Sequence, residues 1–324
     1  MRNRQPWATA CLIALILAAA EPAGAQDRPP ASLRVLAYNV HLLPDIAYTV
    51  AGHRGKAEYR ASALVERLAG YDLVGLCEVF DDDRRNELIE GIDEASGSAF
   101  YHYWEKKPPG RARTNSGLLL LSRLPIEERH ALTYQHASRF VAYGLGADGF
   151  AAKGALHARI RIQEDPPLLV DCFLTHLESR SGTARELQIA ELRQFIAEHT
   201  DRNRPMIVLG DMNVAADDPR QRPAGTERTP YQRLRLGLDH HGLSLIDVWA
   251  HLGVGPGGTS DALAEDGGRR IDYIFVSRRR PGGWALAPAR VRVLPMLDEQ
   301  VPEGSLSDHA AVECVLEVRR KERR

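Results

Sequence analysis

Apolar runs that close on a single polar side chain recur along this chain. Leu33 to Val40 reads as a buried strand with Asn39 near its end. Tyr59 to Leu68 has helical spacing and is punctuated by Gly70. Asp72 to Val79 is a second core strand whose tip carries Glu78. Asp81 to Asp83 supply N-caps for a helix over Arg84 to Ile92. Strand, helix, strand, helix is the α/β pattern. Strand signals then dominate, at Gly117–Leu121, Lys153–Ile162 and Leu168–Thr175, the last ending on His176. Thr183 to His199 is an amphipathic helix with Leu187, Ala190, Leu192, Phe195 and Ile196 on or near one stripe. Met206–Leu209 leads into Asp211, Arg270–Val276 carries Asp272, and Val291–Leu294 and Ala310–Val318 finish the series. Polar stretches at 104–116, 215–230 and 253–269 interrupt this rhythm, and loops of such length usually frame a site.

Residues 1–25 stand outside that pattern. Arg2 and Arg4 precede an apolar run from Ala8 to Ala20, and Ala23-Gly24-Ala25 offers a small-residue cleavage site. The run is short for a membrane span. A cleaved export signal is expected, leaving 26–324 as one domain, secreted or periplasmic. With 44% apolar residues the chain can fill a large core, and a net charge of −1 advertises no polyanionic partner. Cys77, Cys172 and Cys314 fall inside apolar runs, where buried thiols behave as small apolar side chains.

The polar tips carry the chemistry. A carboxylate and an amide oxygen, Glu78 and Asn39, at the ends of core strands match the way proteins hold Mg²⁺. Taken singly, Asn39 also fits a turn and Glu78 a surface salt bridge. Asp211 and Asn213, one residue apart, share a face if the backbone stays extended. They suit water, metal or phosphate, and equally an Asx turn after Gly210. In Ser307-Asp308-His309 the imidazole can take a proton from water near neutral pH. Asp272 is the candidate to hold that ring, with Asp308 nearer metal or water. His176 and Lys153 are placed to meet charge developing on a phosphate.

These residues resemble the endonuclease/exonuclease/phosphatase superfamily of metal-dependent phosphoesterases. The likeness runs through Tyr38-Asn39, Glu78-Val79, Ser122-Arg123-x-Pro125-Ile126, Thr175-His176, Gly210-Asp211-Met212-Asn213, Ile271-Asp272-Tyr273 and Ser307-Asp308-His309. It implies an α/β (α+β) four-layer sandwich, two mixed β-sheets face to face with helices outside. Within the superfamily the chain is most similar to secreted bacterial neutral sphingomyelinases, through Glu78-Val79-Phe80-Asp81, Arg185-x-x-Gln188 and Ala152-Lys153-Gly154. That family has Asn where Ala152 stands.

The resemblance implies a metal held by Glu78 and Asn39, with Asp211 and Asp308 as further candidates. Mg²⁺ is the expected ion, with Mn²⁺ or Co²⁺ as substitutes. It implies His309 as general base supported by Asp272 and Asp308, with His176, Asp211 and Asn213 on phosphate, metal or water and Lys153 near the headgroup. The expected partner is a phospholipid at a membrane surface, met by a monomer. The family's aromatic membrane hairpin falls between Asp272 and His309, an interval that here contains Trp284 as the single Trp. Rival readings are a secreted nuclease using Arg111, Arg113 and Asn115 along a nucleic-acid backbone, a phosphoinositide or other phosphoester hydrolase, and an inactive binding protein.

Overall fold

The computed structural model describes residues 32–43, 56–106, 114–138, 151–217, 227–239, 244–278 and 283–320. Residues 1–25, where an export signal is expected, lie outside them, as do Arg111 and Arg113. Two six-stranded sheets organise the chain. In the first, β1 (Ser32–Leu42) runs parallel to β2 (Leu73–Val79), flanked by β4 (Leu119–Ser122) and β3 (Tyr101–Tyr103). On the other side of β1 lie β12 (Ala311–Arg320) and β11 (Trp284–Leu294). The second sheet orders β5 (Ile126–Thr133), β6 (Gly154–Gln163), β7 (Leu168–His176), β8 (Met206–Asp211), β10 (Asp272–Ser277) and β9 (Leu245–Asp247). Only its β7–β8 pair is parallel among the described ladders. Both sheets are mixed, as the resemblance implied.

Alternate residues of each strand serve two different interiors. Val35 and Ala37 of β1 join Leu120, Leu156, Leu174, Leu209 and Ile274 in the core between the sheets. Leu36, Tyr38 and Val40 face the other way and pack with Leu64, Leu68, Leu88 and Ile92 of helices α1 (Ala57–Leu68) and α2 (Asp82–Ser96). Phe173, Val208 and Phe275 likewise meet Leu192, Phe195 and Leu234 of α3 (Gly182–His199) and α4 (Pro230–Leu238). A strand covered on both faces shows a continuous apolar run, which is why these strands stood out. The layers are therefore helix, sheet, sheet, helix. Cys77, Cys172 and Cys314 are unpaired in the inter-sheet core.

Other elements were less visible. β5 is a sheet edge of sequence IEERHALT, exposed over Glu127 to Arg129, so its polar positions masked it. α4 starts at the last residue of the polar stretch 215–230 and covers residues to which no element was assigned, although Thr229 and Gln232 form a capping box with Pro230 at its start. β11 begins at Trp284 rather than Val291, because a register shift at Pro288/Arg290 breaks its alternation. On α3 the stripe is rotated from its expected position. Leu187 is 43% exposed, while Gln188 is fully buried and accepts from Glu178 N (2.7 Å). Gln188 also donates to His136 O (2.6 Å).

β11 settles the place of Trp284. Leu294 pairs with Ala311, next to the Ser307–His309 segment, whereas Trp284 pairs with Arg320 at the opposite end of the ladder. At the usual strand rise the two ends lie roughly 30 Å apart. Trp284 is 8% exposed, packed in the inter-sheet core under the Arg320 guanidinium. Of the two places open to this ring, a bilayer interface or the protein interior, the structure gives the interior.

Gly210 is the tightest backbone position beside the strand tips. Its φ is +129°, and a Cβ there would stand 2.0 Å from the Thr175 carbonyl oxygen of the neighbouring strand. Gly210→Ala is expected to cost about 2–4 kcal/mol through strain and clash together. Urea unfolding should show a lower midpoint with an unchanged slope; an unshifted midpoint would mean the strand tip can relax.

Candidate active site

The parallel pairs β1–β2 and β7–β8 bring the expected polar tips to one edge of the sandwich. Asn39 ends the regular pairing of β1, Glu78 sits near the end of β2, His176 and Asp211 close β7 and β8, and Asp272 opens β10. Asn39 Nδ2 donates to Glu78 Oε1 (3.1 Å) and Asp211 Oδ2 (3.2 Å). The same Asp211 oxygen lies 3.4 Å from His176 Nε2 and 3.9 Å from His309 Nε2. His309 Nδ1 is 2.8 Å from Asp272 Oδ2. Lys153 Nζ stands 2.8 Å from His176 Nε2. Six side chains thus surround the Asp211 carboxylate or touch its neighbours.

Local backbone holds these tips in place. Glu78 (φ 62°) and Asn213 (φ 49°) adopt left-handed conformations that non-glycine residues rarely take and that cluster at functional sites. Asn213 N donates to Asp211 Oδ1 (2.9 Å) and its Nδ2 to Leu177 O (3.0 Å). Of the two readings open for Asp211 and Asn213, the structure shows the Asx-type turn, with Asn213 bracing the carboxylate. Ser307 Oγ donates to Asn39 O (2.7 Å) and accepts from His309 N (3.2 Å), which sews the last segment to the first strand. Arg185 Nη1 donates to Glu178 O (2.7 Å), fixing the loop that follows His176.

Two residues of this site escaped sequence reasoning. Arg60, 0% exposed on α1, donates to Leu306 O (2.7 Å), Val40 O (2.6 Å) and His41 O (3.1 Å). One guanidinium thus ties the end of β1 to the Ser307–His309 segment. An Arg within an amphipathic helix usually reads as its solvated face, so nothing in the pattern marked it. His41 was legible only as the residue after Val40. Its Nδ1 lies 3.3 Å from Glu78 Oε2 and 3.4 Å from Asp308 Oδ1, so it separates those two carboxylates. Asp308, whose side chain is 45% exposed, is the more open of the two.

Burial and charge oppose each other here. Burial works against ionised Glu78, but the hydrogen bond and charge of His41, then the charges of His176 and Lys153, hold its carboxyl well below the usual range. Burial presses His41 down, and Glu78 and Asp308 outweigh it, leaving it above the ordinary imidazole value. Asp211 is pushed up to about 7, first by burial and then by the charge of Asp272. Burial also disfavours charge on His309, yet the charge and hydrogen bond of Asp272, then Asp211 and Asp308, hold it well above the imidazole norm.

The donor set fits a hard divalent cation. Glu78 and Asp211 offer carboxylate oxygens around the Asn39 amide, and turning that amide about χ2 presents its oxygen to the same space. Asp211, Asp272 and His309 each place a donor atom within 4.8 Å of the others, and buried Asp272 Oδ1 has no hydrogen-bond partner among the described residues. A cation there would neutralise carboxylates that otherwise repel.

Comparison with known proteins agrees with this geometry. A sequence profile described as the Endonuclease/Exonuclease/phosphatase family matches residues 36–309. A curated relative, sphingomyelinase C of Leptospira interrogans, is 29% identical over 207 residues, 56% of this chain and 34% of that protein. The chain thus matches about a third of the length of that relative. Sphingomyelinase C from Streptomyces griseocarneus superposes with a TM-score of 0.62 at 18% identity, over 88% of this chain and 99% of the other. A Staphylococcus aureus beta toxin mutant with bound magnesium ions gives 0.63 at 16% identity, over 90% and 100%. At these identities the structures attest the fold.

Ligand carboxylates must be ionised to hold a metal. With Asp211 raised to about 7, divalent-cation affinity should climb as pH rises toward that value and flatten above it. For one released proton the slope is up to about tenfold per pH unit. Calorimetric titration across this range checks it, and a pH-independent affinity would remove Asp211 from the ligand set.

Proposed function

The chain belongs to the endonuclease/exonuclease/phosphatase family, and we propose that it is a divalent-cation-dependent phosphodiesterase that hydrolyses sphingomyelin to ceramide and phosphocholine. The observation that carries the reaction class is the Asp272–His309–Asp211 line, 2.8 and 3.9 Å, beside Asn39 and Glu78. Glu78, Asn39 and Asp211 would hold Mg²⁺, with Asp308 reaching it from beyond His41 and Mn²⁺ or Co²⁺ as substitutes. When bound, such an ion polarises phosphoryl oxygens and stabilises a leaving alkoxide.

The remaining roles belong to side chains of the protein. Asp272 accepts from His309 Nδ1, which keeps Nε2 as the atom that takes a proton from attacking water once a cation beside Asp211 offsets the carboxylate charge that otherwise favours the protonated ring. The water oxygen bonds to phosphorus in line with the breaking bond to the ceramide oxygen, which takes a proton from solvent on the far side, and His309 then releases its own proton to water. Lys153 and His176 oppose the charge that grows on the phosphoryl group. Asn213 keeps Asp211 oriented through its backbone N–H.

The sphingomyelinases among the similar proteins support the substrate. So does the rim of the site. Leu263 and Leu297 are 52% and 58% exposed. Leu263 follows Ala262, whose N–H donates to Asp308 O (2.8 Å), and Leu297 is bridged to Ser305, two residues before Ser307. These apolar side chains, rather than Trp284, are the ones we assign to a lipid surface. The leader-like segment 1–25 supports an exported protein, secreted or periplasmic, which we take to act as a monomer.

The purified chain lacking residues 1–25, offered sphingomyelin vesicles, phosphatidylcholine vesicles and plasmid DNA, should release phosphocholine from sphingomyelin with Mg²⁺ and not with chelator. Cleavage of DNA alone would assign the protein as a nuclease instead. His309→Ala should lower kcat by about 10²–10⁴-fold with an unchanged circular dichroism spectrum, and near-normal turnover would exclude His309 as the base.

A further inference from the structure

A second group of metal-binding side chains lies outside the site just described. His157 of β6 is fully buried on the sheet face covered by α3. His130 of edge strand β5 pairs directly opposite it. The last residue of α3, His199, lays its ring over His130 at 4.0 Å between centroids and lies 5.4 Å from the His157 ring. One nitrogen from each ring falls within 4.8 Å of the other two.

Stacking beside Phe173 and Phe195 accounts for the rings as packing surface. It does not account for His157 Nδ1. That atom is buried with no hydrogen-bond partner among the described residues, a situation that ordinarily costs about 1–3 kcal/mol. The other nitrogen, Nε2, lies 3.0 Å from Asp171 Oδ1. Asp171 also accepts from Arg159 (3.0 Å), Arg204 (2.8 Å) and Thr200 (3.1 Å), so it is an ionised acceptor. An acceptor on Nε2 places the ring proton there and leaves a lone pair on Nδ1. A carboxylate behind a histidine, with the far nitrogen open, is the outer-sphere arrangement that metal-ligating histidines use.

We propose that His130, His157 and His199 form a second cation site, selective for an imidazole-preferring transition metal such as Zn²⁺. Three neutral nitrogen donors suit Zn²⁺ or Co²⁺ and are poor ligands for Mg²⁺. Glu128, with Oε2 3.8 Å from His130 Nε2, or water completes four-coordination. Nearby charges balance, since Arg159 is paired with both Glu128 and Asp171, and Arg204 with Asp171. Burial presses both His157 and His199 below the ordinary imidazole value, which keeps these rings in the form that binds metal. Imidazole lone pairs lie in the ring plane, so loading turns the partly exposed His130 and His199 rings about χ2 toward the anchored His157. The ion would then clamp edge strand β5 to β6 and to the end of α3.

The test uses the chain saturated with Mg²⁺ and titrated with Co²⁺, followed by visible absorption and calorimetry, then displaced by Zn²⁺. One Co²⁺ per chain with tetrahedral-type visible bands is expected. Affinity should fall at least about tenfold in His130→Gln and in His199→Gln, and stay unchanged in Glu78→Gln. Zn²⁺ should raise Tm in the wild type and not in either histidine variant. Absence of binding under excess Mg²⁺, equal affinity in the histidine variants, or loss on Glu78→Gln would each overturn the site.

Discussion

Strand β10 pairs with β8 so that Asp272 stands directly opposite Asp211, and both carboxylates are 1% exposed. Like charges opposed across an antiparallel pair destabilise a sheet, and burial sharpens the repulsion. The surrounding architecture answers that conflict. His309 lies against Asp272, and Asn39, His176 and His309 approach the Asp211 carboxylate from three directions. A proton near pH 7 on Asp211, or a divalent cation beside it, relieves the same excess of negative charge. Affinity for a hard cation follows from how the two strands are registered.

The same edge explains why the supporting residues are strained or buried. Glu78, Asn213 and His41 all have positive φ, and Gly210 is pressed against Thr175. Arg60 spends a buried guanidinium on three backbone carbonyls to keep β1 and the Ser307–His309 segment together. Such conformations persist only where packing over-determines them, and here two helix layers and the inter-sheet core do so. The candidate site residues thus sit mainly at strand ends, while exposed Leu263 and Leu297 belong to loops.

The histidine group on the outer face of the second sheet contrasts with this edge in every relevant respect. Its donors are neutral nitrogens rather than carboxylates, and its one buried carboxylate, Asp171, is engaged by cations and held at about 2 after burial is outweighed by His157 and Arg204. Hard and borderline cations would therefore partition between the two sites by ligand type.

Strands covered on both faces, such as β1, β2, β7 and β8, were legible from continuous apolar runs, and the polar residue closing each run marked the site. Those are local properties, since a side chain that interrupts apolar sequence needs a reason near at hand. Exposed edge strand β5, the rotated face of α3 and the burial of Trp284 were not, because exposure depends on which neighbour covers a surface. The chain alone determined which groups could do chemistry and that they lay at strand ends. Tertiary structure decided the meetings that no segment announced: His41 between Glu78 and Asp308, Arg60 beneath them, and three distant histidines in one stack. Contacts across long sequence separations are set by register and layer packing, and neither is written in any single segment.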